Sequence, residues 1–191
     1  MSLKERAYSM LIVSASEKFN SVLEELTQTP DYDFVSKASS ISAARRKLTE
    51  RNYDIILINS PLPEDAGLHL AMDGCEAEGT VVMLIVPSEL HGDIYAKMRP
   101  YGVFVERKPI SRSALESDLM WLLSARERIR KQEKKTRSME DKMKEIRLVN
   151  RAKWLLISEL KMDEPSAHRY IEKQAMDRCV TRREIAEGII N

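Results

Sequence analysis

Glycine and proline are placed so unevenly along this chain that they divide it before any other signal is read. Five of the six glycines and six of the seven prolines lie at or before Pro109. Neither residue occurs between Pro109 and Pro165. An α/β domain needs a turn at each strand–helix junction, so such residues are dense in it. The 55 breaker-free residues that follow read as long helix. A chain of 191 residues has room for one domain of typical size and a smaller one. The expected division is an α/β domain over 1–125, a connecting helix over 111–139 that overlaps that domain's last helix, and a small helical domain over 140–191.

In the first part, short apolar runs at 8–14, 34–37, 54–59, 80–86 and 102–106 read as strands, several of them β-branched as in strands buried on both faces. Helical patterns lie between them: Phe19, Val22, Leu23 and Leu26, then Ile41, Ala44 and Leu48. Five strand–helix units favour a doubly wound parallel sheet. The second part opens with a helix from about Ser111, with Leu115, Leu119, Leu122 and Leu123 on its apolar face. Leu122, Ile129, Thr136 and Met143 recur at seven-residue spacing, the pattern of a dimeric coiled coil. Residues 130–138 contain no apolar side chain, so a solvated single helix or a flexible connector stays open as the alternative.

Two short helices with clear starts follow. Asp163 can cap a helix that has Pro165 in its first turn. Ala167, Tyr170, Ile171 and Ala175 then keep helical spacing, which places Tyr170 in the expected core. Thr181 and Glu184 form a capping box, with Val180 and Ile185 where a hydrophobic staple would pack. The last helix, with Ile185, Ala186, Ile189 and Ile190, is too short to stand alone. It must pack on its predecessors, giving a three-helix bundle from about residue 140.

Net charge is only +1, but its distribution is informative. Residues 1–109 carry 12 basic and 16 acidic side chains, and residues 110–191 carry 19 and 14. The C-terminal part is the better candidate for a polyanion partner. Cys75 and Cys179 make no metal-like spacing and read as reduced, buried thiols. His69, His91 and His168 have no partners at ligand spacing and read as surface or packing residues. No Ser/His/Asp set, phosphate loop or metal cluster is present in the sequence, so the expectation is a non-enzyme without cofactor or metal. No segment resembles a signal peptide, and no apolar run approaches the ~18 residues of a membrane span. The expectation is a soluble, cytoplasmic protein.

The run Ile55-Ile56-Leu57-Ile58-Asn59, followed by Pro63 and Gly67, resembles the phosphorylation site of bacterial receiver domains. There an apolar strand ends in an aspartate, with proline and glycine four and eight residues later. The resemblance covers 8–125 and implies a flavodoxin-like fold with strand order 2-1-3-4-5. It also implies an acidic pair after the first strand, where this chain has Ser14 and Ala15, and a Ser/Thr at the end of the fourth, where it has Ile85. Only Lys108-Pro109, usually a cis bond in the family, keeps the pattern. Asn59 replaces the acceptor, and a neutral carboxamide is a far poorer nucleophile than a carboxylate. Mg²⁺ also lacks its usual carboxylate ligands here. The expectation is a pseudo-receiver that takes no phosphate.

Residues 140–191 resemble the ANTAR domain, a three-helix RNA-binding module of bacterial antiterminators. The matching stretches are Asn150-Arg151-Ala152-Lys153-Trp154-Leu155-Leu156, then Ser166-Ala167-His168-Arg169-Tyr170-Ile171, then Gln174-Ala175-Met176 and the last helix. The family usually has glycine where this chain has Trp154. The indole could stack on a base or fill the bundle, and packing is the favoured expectation. Arg147, Arg151, Lys153, Arg169, Lys173, Thr181, Arg182 and Arg183 are the candidate RNA-binding residues, because a basic surface and a helix N-terminus suit phosphates. The implied function is transcription antitermination. A homodimer would bind paired hairpin loops in mRNA leaders, and a regulatory protein or small molecule would act on the pseudo-receiver. The alternatives are a DNA-binding regulator that uses the last two helices as a helix-turn-helix, or a pure protein-interaction module.

Overall fold

A computed structural model describes residues 7–191. It divides into two compact units, Met1–Lys131 and Gln132–Asn191. In the first, five strands alternate with helices: β1 (Tyr8–Val13), α1 (Glu17–Leu26), β2 (Tyr32–Ala38), α2 (Ile41–Glu50), β3 (Ile55–Asn59), α3 (Leu68–Glu76), β4 (Val81–Val86), α4 (His91–Met98) and β5 (Phe104–Arg107). The sheet has order β2-β1-β3-β4-β5, and every pairing is parallel. The flavodoxin-like order expected from the resemblance is the order found.

Successive residues of a strand point to opposite faces, so the continuous apolar runs of β1, β3 and β4 serve two cores at once. Leu11, Val13, Ile56, Ile58, Val82 and Leu84 join Ala44, Leu70 and Ile94 on one side. Met10, Ile12, Ile55, Leu57, Met83 and Ile85 join Leu23, Leu115, Leu119 and Leu122 on the other. The last three lie at i, i+4 and i+7 of α5 (Arg112–Leu160), a 49-residue helix that begins in the first unit and ends in the second. Residues 130–138 are helical.

That packing overturns one expectation. Leu122 is fully buried in the core formed with the sheet. It cannot face a second chain, and any dimer seam on α5 has to begin after it.

Two polar clamps hold the start of α5 to the sheet. Arg126 Nε donates to Asp54 Oδ1 at 2.9 Å, and Asp54 Oδ2 accepts from the Ser9 amide and hydroxyl. Glu127 accepts from the Tyr8 hydroxyl at 2.7 Å and from Arg130. At the other end of the sheet Gly67 starts α3 with φ at +75°. A Cβ there would stand 2.9 Å from Ile58 Cγ2, so glycine is required for both its backbone and its size.

The second unit contains the remainder of α5 with α6 (Glu164–Asp177) and α7 (Arg182–Ile190). Val149, Ala152, Leu156, Ala167, Ile171, Ala175, Ile185 and Ala186 form its core. Asp163 caps α6 through the Ser166 amide at 2.9 Å, and Thr181 and Glu184 make the full capping box of α7. Tyr170, expected in the core, is 38% exposed. The neighbouring Ile171 takes the inward position, one residue further round the helix. Cys179 is exposed rather than buried, in the turn after α6, and Cys75 is only partly buried. Among the described residues no helix is long and apolar enough to cross a membrane.

Candidate functional site

The first candidate site lies at the C-terminal ends of the strands, where open α/β sheets bind ligands. β3 delivers Asn59 and β1 delivers Ser14, both buried. Asn59 Nδ2 donates to Ser14 Oγ at 2.9 Å, and Ser14 Oγ also accepts from the Ser16 amide. Asn59 Oδ1 is shut off from solvent and has no hydrogen-bond partner among the described residues. Lys108, just past β5, donates to the Ser60 carbonyl at 2.5 Å. Burial lowers its pKa below the ordinary lysine value. The Lys108-Pro109 bond is cis, as is Ser60-Pro61. Ala15 is exposed beside the site. Ile85 is fully buried in the core beneath it, so the side chain at that position packs and offers no hydroxyl.

Asn59, Lys108 and Pro109 line a cleft of about 540 Å³ together with Ser16, Phe19 and Glu89. Asn59 and Lys108 share that cleft, and Ser14 is joined to it through its hydrogen bond from Asn59. Where a phosphate-accepting carboxylate would sit, a carboxamide is tied to a hydroxyl. Glu89 is the one carboxylate among the lining residues. It comes from the turn after β4 and was not foreseen.

The second candidate site is the surface of the C-terminal unit, and there the foreseen cations fall into two groups. Lys153 is bound to Glu164 at 3.0 Å. Arg182 lies 3.4 Å from Glu145 and 3.9 Å from Glu172, and Arg183 lies 2.8 Å from Glu187. At the α7 N-terminus, expected to offer free amides to an anion, the capping box takes two of them. The Glu184 carboxylate takes the Thr181 amide and hydroxyl, and Thr181 Oγ1 takes the Glu184 amide. Arg147, Arg151, Arg169 and Lys173 are exposed and make no ion pair among the described residues. Exposed pairs are worth little in water, so the first group can exchange partners at small cost.

Arg147, Arg151 and Trp154 stand at i, i+4 and i+7 of α5, one face of a helix. Trp154, expected to pack, is 70% exposed. The inward positions of this stretch are Val149, Ala152 and Leu156, and spacing puts residue 154 opposite them. Ile129, Thr136 and Met143 are exposed, as a seam would require. Met139 and Ile146 are exposed too and interleave with them at three- and four-residue steps. The sequence reading counted every seventh residue and missed these two. Alternating steps of three and four would have found them.

Comparisons with known proteins fall on the same division. Residues 137–190 match the ANTAR domain. A curated relative, transcriptional regulatory protein PdtaR of Mycobacterium tuberculosis, is 24% identical over 169 residues, covering 88% of this chain and 82% of that protein. Among solved structures, the signal receiver domain of an HD domain-containing protein from Pseudomonas fluorescens Pf-5 superposes with a TM-score of 0.58 at 21% identity. It covers 69% of this chain and 96% of that one. A CheY-like response regulator receiver domain from Methanospirillum hungatei JF-1 gives 0.56 at 14% identity, covering 64% and 98%. These structural likenesses establish the fold of the first unit. The chain thus sets a receiver-fold unit ahead of a stretch that matches the ANTAR domain.

Proposed function

We propose that this regulator is a transcription antiterminator that binds hairpin RNA in nascent mRNA. The observation that carries the reading is the face of α5 formed by Arg147, Arg151 and Trp154. It joins two unpaired guanidinium groups to an indole that is 70% exposed, inside the ANTAR domain. Guanidinium groups neutralise phosphates, and an exposed aromatic face stacks on the unpaired bases that hairpin loops display. Arg169 and Lys173, one turn apart on α6, add charge. The protein acts as a homodimer, whose seam is the interleaved row Ile129, Thr136, Met139, Met143 and Ile146. Phosphate plays no part in its control, because Asn59 and Ser14 stand where the nucleophile and the metal ligands would be. The receiver-fold unit answers to a binding partner instead.

The test is titration of the full chain with an RNA carrying two hairpins and with duplex DNA of matched length. RNA should bind more tightly at equal salt, and its affinity should fall as salt rises. Arg147→Ala and Arg151→Ala should each weaken binding by about 1–3 kcal/mol if they make charged hydrogen bonds. Trp154→Ala should cost about the same through lost stacking. Unchanged affinity in all three variants would remove this face from consideration. Tighter binding of duplex DNA would favour a helix-turn-helix built on α6 and α7. Ile146→Lys should break the dimer in sedimentation, because it sets like charges against each other in the seam.

A further inference from the structure

Three polar groups at the Asn59 cleft are left without a counterpart, and they differ in kind. Ser14 Oγ already takes two donors, Asn59 Nδ2 and the Ser16 amide. The other end of the carboxamide, Asn59 Oδ1, is an acceptor with no donor among the described residues, on a side chain only 5% exposed. Buried polar atoms are nearly always paired, so an unpaired one marks the place of a missing partner. Lys108 and Glu89 are the two charged side chains that line the cleft. Neither enters an ion pair among the described residues. Lys108 is half-buried, and the hydrogen bond it makes goes to the neutral Ser60 carbonyl. Burial lowers its pKa with no neighbouring charge to offset the cost.

A ligand that satisfies this cleft brings an anion to Lys108, a cation to Glu89 and a hydrogen-bond donor to Asn59. A simple anion answers the first and is repelled by the Glu89 carboxylate and the Asn59 carbonyl dipole. A simple amine answers the other two and sets a second positive charge beside Lys108. A zwitterion answers all three. Phe19, Pro87, Pro109 and Ile110 add an apolar wall, and the volume of about 540 Å³ suits a small molecule. The place is also where the strand order reverses, between β1 and β3. Open α/β sheets take small ligands at such a point.

We propose that this cleft binds a free α-amino acid with an apolar side chain. Its carboxylate lies against Lys108, its ammonium group donates to Asn59 Oδ1 and faces Glu89, and its side chain rests on Phe19 and Ile110. The proposal rests on the reading that the receiver-fold unit answers to a binding partner in place of phosphate, and it gives that partner a chemical class.

The test is isothermal calorimetry of the full chain with each of the twenty amino acids in turn. At least one with an aliphatic or aromatic side chain should bind with a Kd below about 1 mM. Its two halves, the amine without the carboxylate and the acid without the amine, should each bind about tenfold more weakly, since each loses a charged hydrogen bond. Lys108→Met should weaken the amino acid about tenfold but not the amine. Glu89→Gln, at an exposed position that folding does not depend on, should weaken the amino acid but not the acid. Asn59→Leu, close in size, should weaken the amino acid too. A merely structural role for Lys108 or Glu89 would weaken all three ligands alike. Binding by none of the twenty overturns the proposal. So does an acid half that binds as tightly as the intact amino acid, since the cleft would then be an anion site. Acetyl phosphate with Mg²⁺ tests the underlying reading separately. A stoichiometric acid-labile phosphate on the chain would sink that reading, whereas no phosphate and no amino-acid binding would sink the proposal alone.

Discussion

In the receiver-fold unit the charged groups that organise the structure are turned inward. In the ANTAR unit they are turned out. Asp54 and Arg126 are largely buried and hold α5 to β1 and β3 through directed hydrogen bonds. Arg182, Arg183 and His168 make their contacts on the surface, with half or nearly half of each side chain in solvent. The cores differ in the same sense. The sheet buries Ile, Leu, Val and Met on two faces, whereas four of the eight core residues of the second unit are alanine. Alanine brings helices close but buries little apolar area, and apolar area is the main source of stability. A unit whose charges stand in solvent gains little stability from them. It relies on caps and a thin core.

The sharpest way to break this contrast is to remove one large core residue from the thin side. Ile171→Ala should cost about 3 kcal/mol and melt the C-terminal unit in a separate, earlier transition, while Tyr170→Ala, on the exposed neighbour, should cost less than about 1. Calorimetry of the full chain separates the two transitions. A single shared transition in both variants would mean that the units do not differ in stability as their cores suggest.

On the other side, Arg126→Met keeps the aliphatic stem and removes the charge that faces Asp54. It should destabilise the receiver-fold unit by about 2 kcal/mol, less than for a fully buried pair because Asp54 keeps some solvent contact. Urea denaturation followed by Trp121 fluorescence in the Trp154→Phe background reads it. An unchanged midpoint would demote the clamp to decoration.

The third prediction adds stability. α6 ends in a Schellman motif, with the Val180 amide on the Ala175 carbonyl and the Cys179 amide on that of Met176. Cys179 takes the left-handed position, at φ 53°. Cys179→Gly should stabilise the ANTAR unit by about 1 kcal/mol, visible as a higher melting temperature of its transition. A fall would mean that the thiol contributes something beyond its backbone.

The smallest effect concerns pH. Glu127 is held down to about 2 by its hydrogen bonds from Arg130 and then Tyr8. A carboxyl depressed in the folded state contributes stability above its unfolded pKa and loses it as pH falls through the folded value. The receiver-fold unit should therefore weaken between about pH 4.5 and pH 2. Glu127→Gln should flatten that part of its stability curve. An identical curve for the variant would remove Glu127 from the acid response.

Much of this architecture was legible because period and punctuation are local signals. β1, β3 and β4 announce themselves as unbroken apolar runs, and Asp163 and Thr181 mark the starts of α6 and α7. The Asn59 frame located the cleft as well, since Pro63 and Gly67 sit at fixed distances from it. The failures share a cause. Leu122, Tyr170 and Trp154 each lie on a helix whose rotation about its axis is set by its neighbours, and sequence spacing alone does not give that angle. Leu122 read as seam because seven-residue spacing keeps it on nearly the same face as Ile129, and spacing does not show how far along α5 the sheet covers that face.

The alanines of the C-terminal core have a consequence for what the domain tolerates over time. Ala152, Ala167 and Ala186 have no exposed surface at all. Any larger side chain at these positions would have to push helices apart, and overfilling a packed interior is itself destabilising. The three positions are closed to nearly every substitution. Two residues from Ala152, and on the outside, Trp154 meets no such limit. A lineage carrying this scaffold can revise its outer face freely, by exchanging a small residue for an indole for example, while the seat beneath stays fixed. Variation in what such a domain binds should therefore accumulate on one side of α5, and the other side should hardly change.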